Sequence, residues 1–473
     1  MEFVANNLAA HRSAANGEVL VDVLRRDLGL NGTTVACREG DCGACTVLLG
    51  SPRENITGSP LRYRPITSCI SPHANARGCH VVTIEGLSAH GSNPLQELLC
   101  HYSGTQCGFC TPGFVVSLTG FLLNSPSLSF ADASAAIDGN ICRCTGYKAI
   151  ERAIQQLIAT YAPRLLAAPS RIAALVSEGF LPDYFLQVPH KLPSYQAAAH
   201  RSPAHPSPLI GGGSDLFVQR PGELRPQELK LLHPGKETRQ IAVEPSQVII
   251  PASSSIHDFC EHPQLKKLLP CLDKVKKLFA STQIRQQATI AGNIINASPI
   301  GDIANFLLAL DTTLLLRSTA GDRLVAQKEL YLGYKTLSLR PEELLFELRF
   351  ALPTPRTRVS FEKVSRRTHL DIASVTSTMV LTLEGATIVA AAISAGGVAP
   401  FPLRLSHLES WLVGRAASPQ TAREAANRVT EEIKPISDVR GSAAYKTLLL
   451  SQMILAHFLS CCPETISEES LLV

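Results

Sequence analysis

Hydrophobic and polar residues follow three successive patterns along the chain, and the pattern changes near residues 80 and 190. Residues 21–49 begin with a short amphipathic helix, VDVLRRDLGL, and reach an apolar strand, TVLLG, through a loop rich in glycine and cysteine. From about residue 80 the periodicity is helical. Four short helices are predicted there, with boundary signals at Asn93 and Pro94, at Pro112, between Ser129 and Gly139, and after Gly146.

The second half of the chain alternates strands with short helices. Before it, residues 163–190 are predicted to form a partly helical linker that runs over the surface. After Pro353 and Pro355, the segment STMVLTLEGATIVAAAISAGG predicts a hairpin that turns at Glu384 and Gly385, and two long helical patterns follow. Because 473 residues exceed what one core accommodates, we expect several domains, with boundaries at 1–78, 79–162, 191–354 and 355–473.

Charge and composition argue against several classes of function and location. Lysine and arginine total 44 against 40 acidic residues, and no long basic block occurs, so the sequence does not favour nucleic-acid binding. The N-terminus does not have the pattern of an export signal, and the longest apolar stretch is too short to span a bilayer, so we expect a cytoplasmic protein that does not enter a membrane. In that compartment the 14 cysteines should be reduced, and their spacing indicates metal ligation rather than disulfides.

One group of cysteines has the spacing of a plant-type ferredoxin. Cys37, Cys42 and Cys45 form C-x4-C-x2-C, and Cys69 supplies the fourth thiol that such a 2Fe-2S site needs. Glycines at positions 40 and 43 allow the backbone to wrap closely and to aim N–H groups at the sulfurs.

A second group consists of Cys107 and Cys110, two residues apart, and Cys142 and Cys144, which flank a single residue. Thiolates suit both an iron-sulfur cluster and tetrahedral zinc, although C-x-C is tighter than the usual zinc knuckle. Helix starts at Pro112 and just after Cys144 should favour thiolates near their positive ends. The remaining cysteines match neither pattern and are interpreted as ordinary buried thiols: Cys79, Cys100, Cys260, Cys271, Cys461 and Cys462.

The order CxxC then CxC resembles the helical 2Fe-2S domain of the xanthine oxidase family of molybdenum hydroxylases. In that family the glutamine at the position of Gln106 faces the molybdenum cofactor, so the resemblance implies a contact with a partner there. A polar surface residue at a helix end is an equally good interpretation of Gln106 from the sequence alone.

Two glycine-containing turns are candidates for binding a nucleotide. The apolar strand in PLIGGGSDLFVQR breaks at three glycines, whose N–H groups can form an anion nest for a phosphate, although a tight hairpin has the same pattern. About eighty residues later, Phe279 to Leu310 concentrate small polar groups that suit a pyrophosphate and a ribose. The polar residues in this second turn include Thr289, Gly292, Asn293, Ser298 and Asp302.

The run ATIAGNIINASPIGD closely resembles the FAD-binding domain of the same family, in which ATIGGN is usual, so Ala291 replaces a glycine. If that position required a positive φ, the loop would differ here. The resemblance implies that FAD is bound by the following residues: Pro208, Leu209, Ile210, Gly211, Gly212, Gly213, Ser214, Asp215 and Leu216 at the diphosphate loop, Phe279 near the ring, Thr289, Ile290, Ala291, Gly292 and Asn293 at the second loop, Asp302 at the ribose, and Leu345 and Lys363.

The C-terminal part carries two further motifs of the family. DVRGSAAYK, residues 438–446, resembles the DxRxSxxYR signature that closes the flavin subunit's last domain. In SRRTHLDI, Thr368 and His369 occupy positions where family members tend to have additional acidic residues before Asp371. This difference affects how the loop would contact a nicotinamide cofactor.

Together the motifs resemble the small iron-sulfur/FAD subunit of bacterial xanthine dehydrogenases. The resemblance implies an α+β multidomain fold with a β-grasp ferredoxin-like 2Fe-2S domain, a four-helix 2Fe-2S domain, an α+β FAD-binding domain and an α+β C-terminal flavoprotein domain. It also implies two 2Fe-2S clusters, FAD and NAD as acceptor. Molybdopterin is expected only on a partner large subunit, in a heterotetramer of two small and two large chains.

Two alternatives remain open at this point. The same electron-transfer module could serve another molybdenum hydroxylase, which oxidises aldehydes, aromatic heterocycles or carbon monoxide. A protein of a different class, a zinc-binding scaffold, would use the same thiols without any redox cofactor.

Overall fold

The computed structural model describes residues 2–11, 16–52, 60–192, 209–232 and 240–472. Pro208, predicted at the start of the diphosphate loop, lies outside the described residues. None of the helices in the described ranges is long and apolar enough to cross a membrane.

The longest of the described strands have eight to ten residues and lie in the C-terminal part of the chain. Their bounds are β1 Glu2–Ala5, β2 Leu8–His11, β3 Thr46–Pro52, β4 Leu61–Thr67, β5 His80–Val82, β6 Leu209–Ile210, β7 Lys230–Leu231, β8 Ala242–Val243, β9 Gln247–Pro251, β10 Thr313–Ser318, β11 Gly321–Ala326, β12 Tyr331–Gly333, β13 Thr336–Leu337, β14 Leu344–Ala351, β15 Thr357–Val364, β16 Val375–Glu384, β17 Thr387–Gly396 and β18 Leu403–Arg404.

The α-helices are α1 Leu20–Asp22, α2 Ile84–Leu87, α3 Pro94–His101, α4 Thr111–Asn124, α5 Phe130–Ala136, α6 Lys148–Ala167, α7 Arg171–Ser177, α8 Val188–Lys191, α9 Leu216–Gln219, α10 Pro221–Leu224, α11 Ile256–Glu261, α12 Pro263–Leu268, α13 Leu272–Leu278, α14 Thr282–Gln287, α15 Ile290–Ile295, α16 Asp302–Ala309, α17 Ser406–Leu412, α18 Pro419–Arg428, α19 Ala443–Cys461 and α20 Glu468–Leu472. A π-helical turn, Val23–Asp27, continues α1, and 3-10 turns occur at His73–Ala76, Asp183–Leu186, Gln327–Glu329 and Val429–Glu431.

The described residues form two compact units. The first contains the described residues up to 192 together with residues 209–232 and 281–288, and the second contains residues 240–280 and 289–472. Helix α14 therefore belongs to the iron-sulfur part of the chain, although it directly precedes the ATIAGN motif in sequence.

The first unit begins with a sheet of strand order β2-β1-β5-β3-β4. Strand β3 is buried on both faces, since Val47 and Leu49 join one core while Leu48 joins another. This explains why the strand is continuously apolar rather than alternating. On one face α4 packs against β3 and β4.

The four helices predicted between residues 93 and 162 are present as α3, α4, α5 and α6. Asn93 caps α3 through a capping box with Gln96, and Ser129 caps α5 by accepting from the Asp132 N–H. These caps satisfy amides that have no partner within their own helix. Tyr147, at φ 68°, precedes α6.

Residues 163–190 are partly helical, as predicted, but they are not a linker that runs over the surface. Helix α6 continues past Pro163 to Ala167, and α7 follows. Apolar side chains of this segment lie in the same core as α4, including Leu165, Leu175, Phe180, Phe185 and Val188. In the sequence, prolines and alanines interrupt the spacing of these apolar residues, so no single apolar face is visible. The fold brings them together on the face that contacts the core.

The second unit contains a sheet of strand order β11-β10-β14-β9-β8 and another of order β15-β16-β17-β18. The predicted hairpin is β16–β17, which pairs Glu384 with Thr387 around Gly385 at φ 60°. Helices α17, α18 and α19 cover this sheet and share its apolar core.

Candidate cofactor sites

The first cysteine group lies where the loop before β3 meets the turn after β4. The Cys37 thiol lies close enough to those of Cys42 and Cys69 to interact with them, and the Cys45 thiol interacts with that of Cys69. Interaction with Cys42 first, and then with Cys69, holds the pKa of Cys37 well below its usual range. The Glu39 N–H lies 3.4 Å from the Cys37 sulfur. The four predicted thiols are therefore close together, with a backbone amide directed at one sulfur.

The second group combines the start of α4 with the C-x-C turn before α6. Cys110 is the residue before the first turn of α4. The sulfurs of Cys144 and Cys107 lie 3.6 Å apart, and the neighbouring Cys142 thiol contributes to raising the pKa of Cys110, after burial. Cys107 and Cys144 are exposed, whereas Cys142 is buried.

Thr145 holds the sulfur of Cys142. Its hydroxyl donates to that sulfur at 3.2 Å and its N–H at 3.5 Å. Burial raises the pKa of Cys142, but these hydrogen bonds outweigh burial and the pKa is lowered. The thiolate form that ligates metals is thus stabilised.

The thiols fit a two-iron cluster better than one zinc ion. In the second group, Cys107 associates with Cys144 and Cys110 with Cys142, which matches two irons that each take two thiolates. Among the described residues, no three His, Cys, Asp or Glu side chains are arranged to hold a metal ion. The chemistry of each donor set, four thiols with N–H or O–H groups directed at sulfur, suits a cluster.

The two cysteine groups touch through their own ligand loops. The Ile141 N–H donates to the Cys42 carbonyl at 3.0 Å, and the Asn140 amide donates to the Gly43 carbonyl at 3.1 Å. A Cβ at Gly43 would overlap the Gly139 carbonyl. Glycine is required at position 43 for this close approach, in addition to its left-handed φ of 67°.

The rim of the second group is exposed. Gln106 is exposed and Phe109 is 47% exposed. The Thr34 hydroxyl donates to the Phe109 carbonyl at 2.8 Å, which fixes the loop but leaves the ring in solvent.

The first glycine turn lies in the first unit, directly after β6. No strand in the described ranges pairs with this turn beyond Ile210, and Gly213 has φ 83°. Among the described residues, the backbone N–H groups of Gly212, Gly213 and Ser214 donate to no protein acceptor. Successive unpaired amides with one left-handed residue are the features of an anion nest, so this turn fits a phosphate. Leu209, Gly211, Asp215 and Leu216 complete the predicted loop.

The second turn is largely helical. Thr289 caps α15 by accepting from the Gly292 N–H at 3.0 Å. Ala291 lies inside α15 and Ile290 is buried beside it, so position 291 does not need a positive φ. The replacement of glycine by alanine is accommodated without backbone strain.

Asn293 has a structural partner as well. Its side-chain oxygen accepts from the Ala304 N–H at 2.9 Å, in the first turn of α16. This contact joins α15 to α16, so a substitution at Asn293 changes the packing of the two helices as well as any contact with a ligand.

Two other predicted residues of the second unit, Lys363 and Asp302, are in direct contact. The Lys363 ammonium donates to Asp302 at 2.7 Å, to the Leu278 carbonyl at 2.6 Å and to the Asp371 carbonyl at 2.9 Å. Leu278 precedes Phe279, which is half-buried. An ammonium has three donors, so Lys363 uses all of them within the protein.

Leu345 is a buried residue of β14 that pairs with Leu316 of β10. Nothing in its described surroundings distinguishes it from a core residue. The prediction that it contacts FAD stays a prediction.

The loop with Thr368 and His369 is exposed and held from both sides. Lys363 binds its Asp371 carbonyl, and the Arg366 guanidinium donates to the Val439 carbonyl at 2.5 Å. The DVRGSAAYK motif closes on itself, since Lys446 pairs with Asp438 at 2.7 Å. The motif thus anchors the loop whose sequence departs from the family.

Sequence reasoning missed a set of buried polar residues that surround these sites. They are Asn140, Gln283, Arg285 and Gln287, together with the partly buried Asn75. The polar run TQIRQQ in front of an apolar motif was the available signal. Of the thiols outside both groups, Cys100 is exposed and Cys271 is partly exposed, contrary to the prediction that all are buried.

Four domain families match successive parts of the chain. They are the 2Fe-2S iron-sulfur cluster binding domain at residues 6–72, the [2Fe-2S] binding domain at 83–155, the FAD binding domain in molybdopterin dehydrogenase at 186–355, and the CO dehydrogenase flavoprotein C-terminal domain at 360–461. The chain contains the 2Fe-2S/FAD electron-transfer module of the molybdenum hydroxylases. Its fold is α+β and multidomain.

Whole-protein relatives agree with this family and extend beyond this chain. Xanthine dehydrogenase of Emericella nidulans is 28% identical over 480 residues, which cover 88% of this chain and 35% of the relative. Aldehyde oxidase 4 of Cavia porcellus is 26% identical over 93% of this chain and 37% of its own length. The chain therefore spans about a third of the length of the curated relatives that it matches.

Among solved structures, a carbon monoxide dehydrogenase from Hydrogenophaga pseudoflava that lacks the Mo-pyranopterin moiety of its molybdenum cofactor is similar. It aligns with a TM-score of 0.51 and 28% identity, over 55% of this chain and 90% of the matched chain.

Proposed function

We propose that this chain is the electron-transfer subunit of a xanthine dehydrogenase, which accepts electrons from a molybdenum site on a partner and delivers them to NAD through FAD. The observation that supports it most is the direct hydrogen bond between ligand loops, from the Ile141 N–H to the Cys42 carbonyl, in a chain that also has an FAD-binding domain. One-electron carriers such as iron-sulfur clusters can link a two-electron donor site to a flavin.

In this proposal, the residues of the chain bind the cofactors and fix their positions. The cluster nearer the exposed rim would be held by Cys107, Cys110, Cys142 and Cys144. The other cluster would be held by Cys37, Cys42, Cys45 and Cys69. When bound, the clusters transfer single electrons and the flavin exchanges a hydride with NAD. Residues 209–216 would bind the diphosphate, and Phe279 would lie beside the ring.

The proposed partner is a molybdopterin-binding large subunit, in a cytoplasmic heterotetramer of two small and two large chains. The exposed side chains of Gln106 and Phe109, beside exposed Cys107 and Cys144, are the proposed contact with that subunit.

A second candidate is the same module in a hydroxylase for aldehydes or carbon monoxide. The relatives include an aldehyde oxidase, and a carbon monoxide dehydrogenase shares the fold. Thr368 and His369 in the exposed loop also depart from the pattern expected of an NAD-reducing member. Assaying the complex with xanthine, an aldehyde and carbon monoxide, with NAD or a dye as acceptor, separates these candidates.

The cluster assignment is tested by composition and spectroscopy. We expect four iron and four acid-labile sulfide per chain and two paramagnetic signals after reduction. Cys144→Ser should abolish one signal and Cys37→Ser the other, while the exposed, unassigned Cys100 provides a matched control in Cys100→Ser. Stoichiometric zinc without labile sulfide would instead support the scaffold alternative.

The direction of electron flow is tested with two reactions. The chain should reduce dyes with NADH but oxidise xanthine only when the large subunit is added. Gln106→Ala and Phe109→Ala should slow xanthine-dependent NAD reduction more than NADH-dependent dye reduction, because both residues belong to the helical 2Fe-2S domain at residues 83–155 and not to the FAD-binding domain at 186–355. Xanthine oxidation by the chain alone would disprove the division between donor partner and carrier.

A further inference from the structure

The carbonyl of Gly212, in the first glycine turn, is bound by two side-chain amides. The Gln287 Nε2 donates to it at 2.8 Å and the Asn75 Nδ2 at 3.3 Å. All three residues belong to the first unit. Neither Gln287 nor Asn75 was among the residues that the flavin motifs implied.

Both amides are themselves anchored on the segment that follows Cys69. The Gln287 Nε2 also donates to the Ile70 carbonyl at 3.1 Å, and the Asn75 Nδ2 to the Ser71 hydroxyl at 3.1 Å. The glycine turn is thereby fixed to the segment that carries a proposed cluster ligand.

The orientation of the Gln287 amide follows from its partners. With nitrogen and oxygen exchanged, the oxygen would face two carbonyl oxygens, which accept and cannot donate. In the orientation observed, Oε1 is buried and has no partner among the described residues. The Gln287 side chain thus forgoes a hydrogen bond at Oε1 and binds two carbonyls through Nε2.

Because a peptide unit is planar, this contact with the carbonyl also fixes the direction of the N–H group in the same peptide. The Gly212 carbonyl and the Gly213 N–H belong to one planar trans peptide and point in opposite directions. Holding the carbonyl toward Gln287 and Asn75 therefore directs the Gly213 N–H away from them, where it meets no protein acceptor in the described part of the chain.

Such a hold is needed because glycines flank the peptide on both sides. Glycine adopts positive and negative φ at similar cost, so a Gly-Gly peptide can rotate easily. A rotated peptide would present a carbonyl oxygen, instead of an amide hydrogen, to an approaching anion. An anion-binding turn of this composition requires an external contact to select one orientation.

We propose that Gln287 and Asn75 form a clamp on the Gly212 carbonyl that aims the Gly213 N–H at the diphosphate of the bound dinucleotide. The clamp rests on the proposed function, because it assumes that this turn binds FAD. Both are positioning residues, since they act through the Gly212–Gly213 peptide.

The test compares Gln287→Met with Gln286→Met. Gln286 is a matched control, since it is the neighbouring residue, equally buried at 6% exposure, and its side chain contacts Arg62 instead of the turn. Loss of one hydrogen bond to the turn should weaken FAD binding about threefold to tenfold in Gln287→Met, while Gln286→Met stays near wild type. Asn75→Ser, at a partly exposed position, should show a smaller loss in the same direction.

Two readouts distinguish aiming from general stability. The ratio of ADP affinity to adenosine affinity isolates the diphosphate, and it should fall in Gln287→Met and in Asn75→Ser. The ³¹P resonances of bound FAD should also shift in both variants. The iron-sulfur signals serve as the folding control, and if Gln287→Met loses them, Asn75→Ser decides alone.

The outcomes separate the clamp from the underlying function. Wild-type FAD affinity and an unchanged ADP-to-adenosine ratio in both variants overturn the clamp while FAD binding stands. A wild-type protein that takes up no FAD overturns the proposed function, and the clamp with it.

Discussion

Lys363 and Asp302 form a buried ion pair with 2.7 Å between Nζ and Oδ2, and their side chains are 1% and 5% exposed. The same ammonium binds the carbonyls of Leu278 and Asp371. Lys363 therefore joins the segment before Phe279, the start of α16 and the exposed loop of residues 365–372. Its role is to hold three segments together, and no donor is left for a ligand.

We expect Lys363→Met to lower the free energy of unfolding by about 3 to 5 kcal/mol, because it leaves a buried carboxylate without its partner. Urea unfolding followed by circular dichroism measures the change. Lys274→Met is the control, since Lys274 makes a partly exposed pair with Glu362 and its loss should cost about 1 kcal/mol or less. Equal effects of the two substitutions would contradict the role assigned to Lys363.

The stability deficit of Lys363→Met, by which its free energy of unfolding falls below that of the wild type, should also depend on pH. Burial raises the pKa of Asp302, which Lys363 opposes, and removing Lys363 raises it further. A carboxyl with a raised native pKa binds protons more tightly when folded, so its contribution to stability falls as pH rises through that pKa. The deficit should therefore be larger at pH 8 than at pH 5.5, and a deficit that grows toward acid would argue against burial of Asp302.

Gly213→Ala should reduce FAD content, because residue 213 has φ 83° and a Cβ would lie 3.1 Å from Pro72 and Phe217 atoms. A left-handed alanine costs roughly 1 to 2 kcal/mol, so the turn should relax and lose its anion geometry. Gly222→Ala is the control, with no atom within 4 Å of the added Cβ and no positive φ. Absorbance of the purified proteins near the flavin maximum gives the ratio of FAD to chain. Normal FAD content in Gly213→Ala would remove the turn from the site.

Ala291→Gly should leave FAD content unchanged and lower stability by about 0.5 to 1 kcal/mol. Ala291 is a buried helical residue of α15, where glycine costs conformational entropy. Thermal unfolding and flavin content together check this. A gain in FAD affinity would mean that the site needs the glycine that the related ATIGGN motif has.

Thr145→Val should make the reduction potential of the second cluster more negative. Its hydroxyl donates to the Cys142 sulfur, and donors to sulfur stabilise the extra negative charge of the reduced cluster. Potentiometric titration followed by electron paramagnetic resonance measures the shift. Thr111→Val is the control, since the Thr111 hydroxyl binds Thr105 instead of a sulfur, and an equal shift there would point to a change in packing.

The sequence alone determined the local features of this protein. Cysteine spacing selected eight thiols out of 14, and the structure places them in two close groups. Caps at Asn93 and Ser129 and the turn at Gly385 are decided within a few residues, so local chemistry predicted them correctly.

Tertiary structure decided what depends on partners far away in sequence. Gln287 reaches Gly212 across 75 positions, and Lys363 reaches Asp302 across 61. A polar residue has the same appearance in a sequence whether it is solvated or clamps a buried carbonyl, so TQIRQQ gave no indication of its partners. The segment 163–190 was misjudged for the same physical reason, because its apolar residues share a face only after α6 and α7 pack against the core.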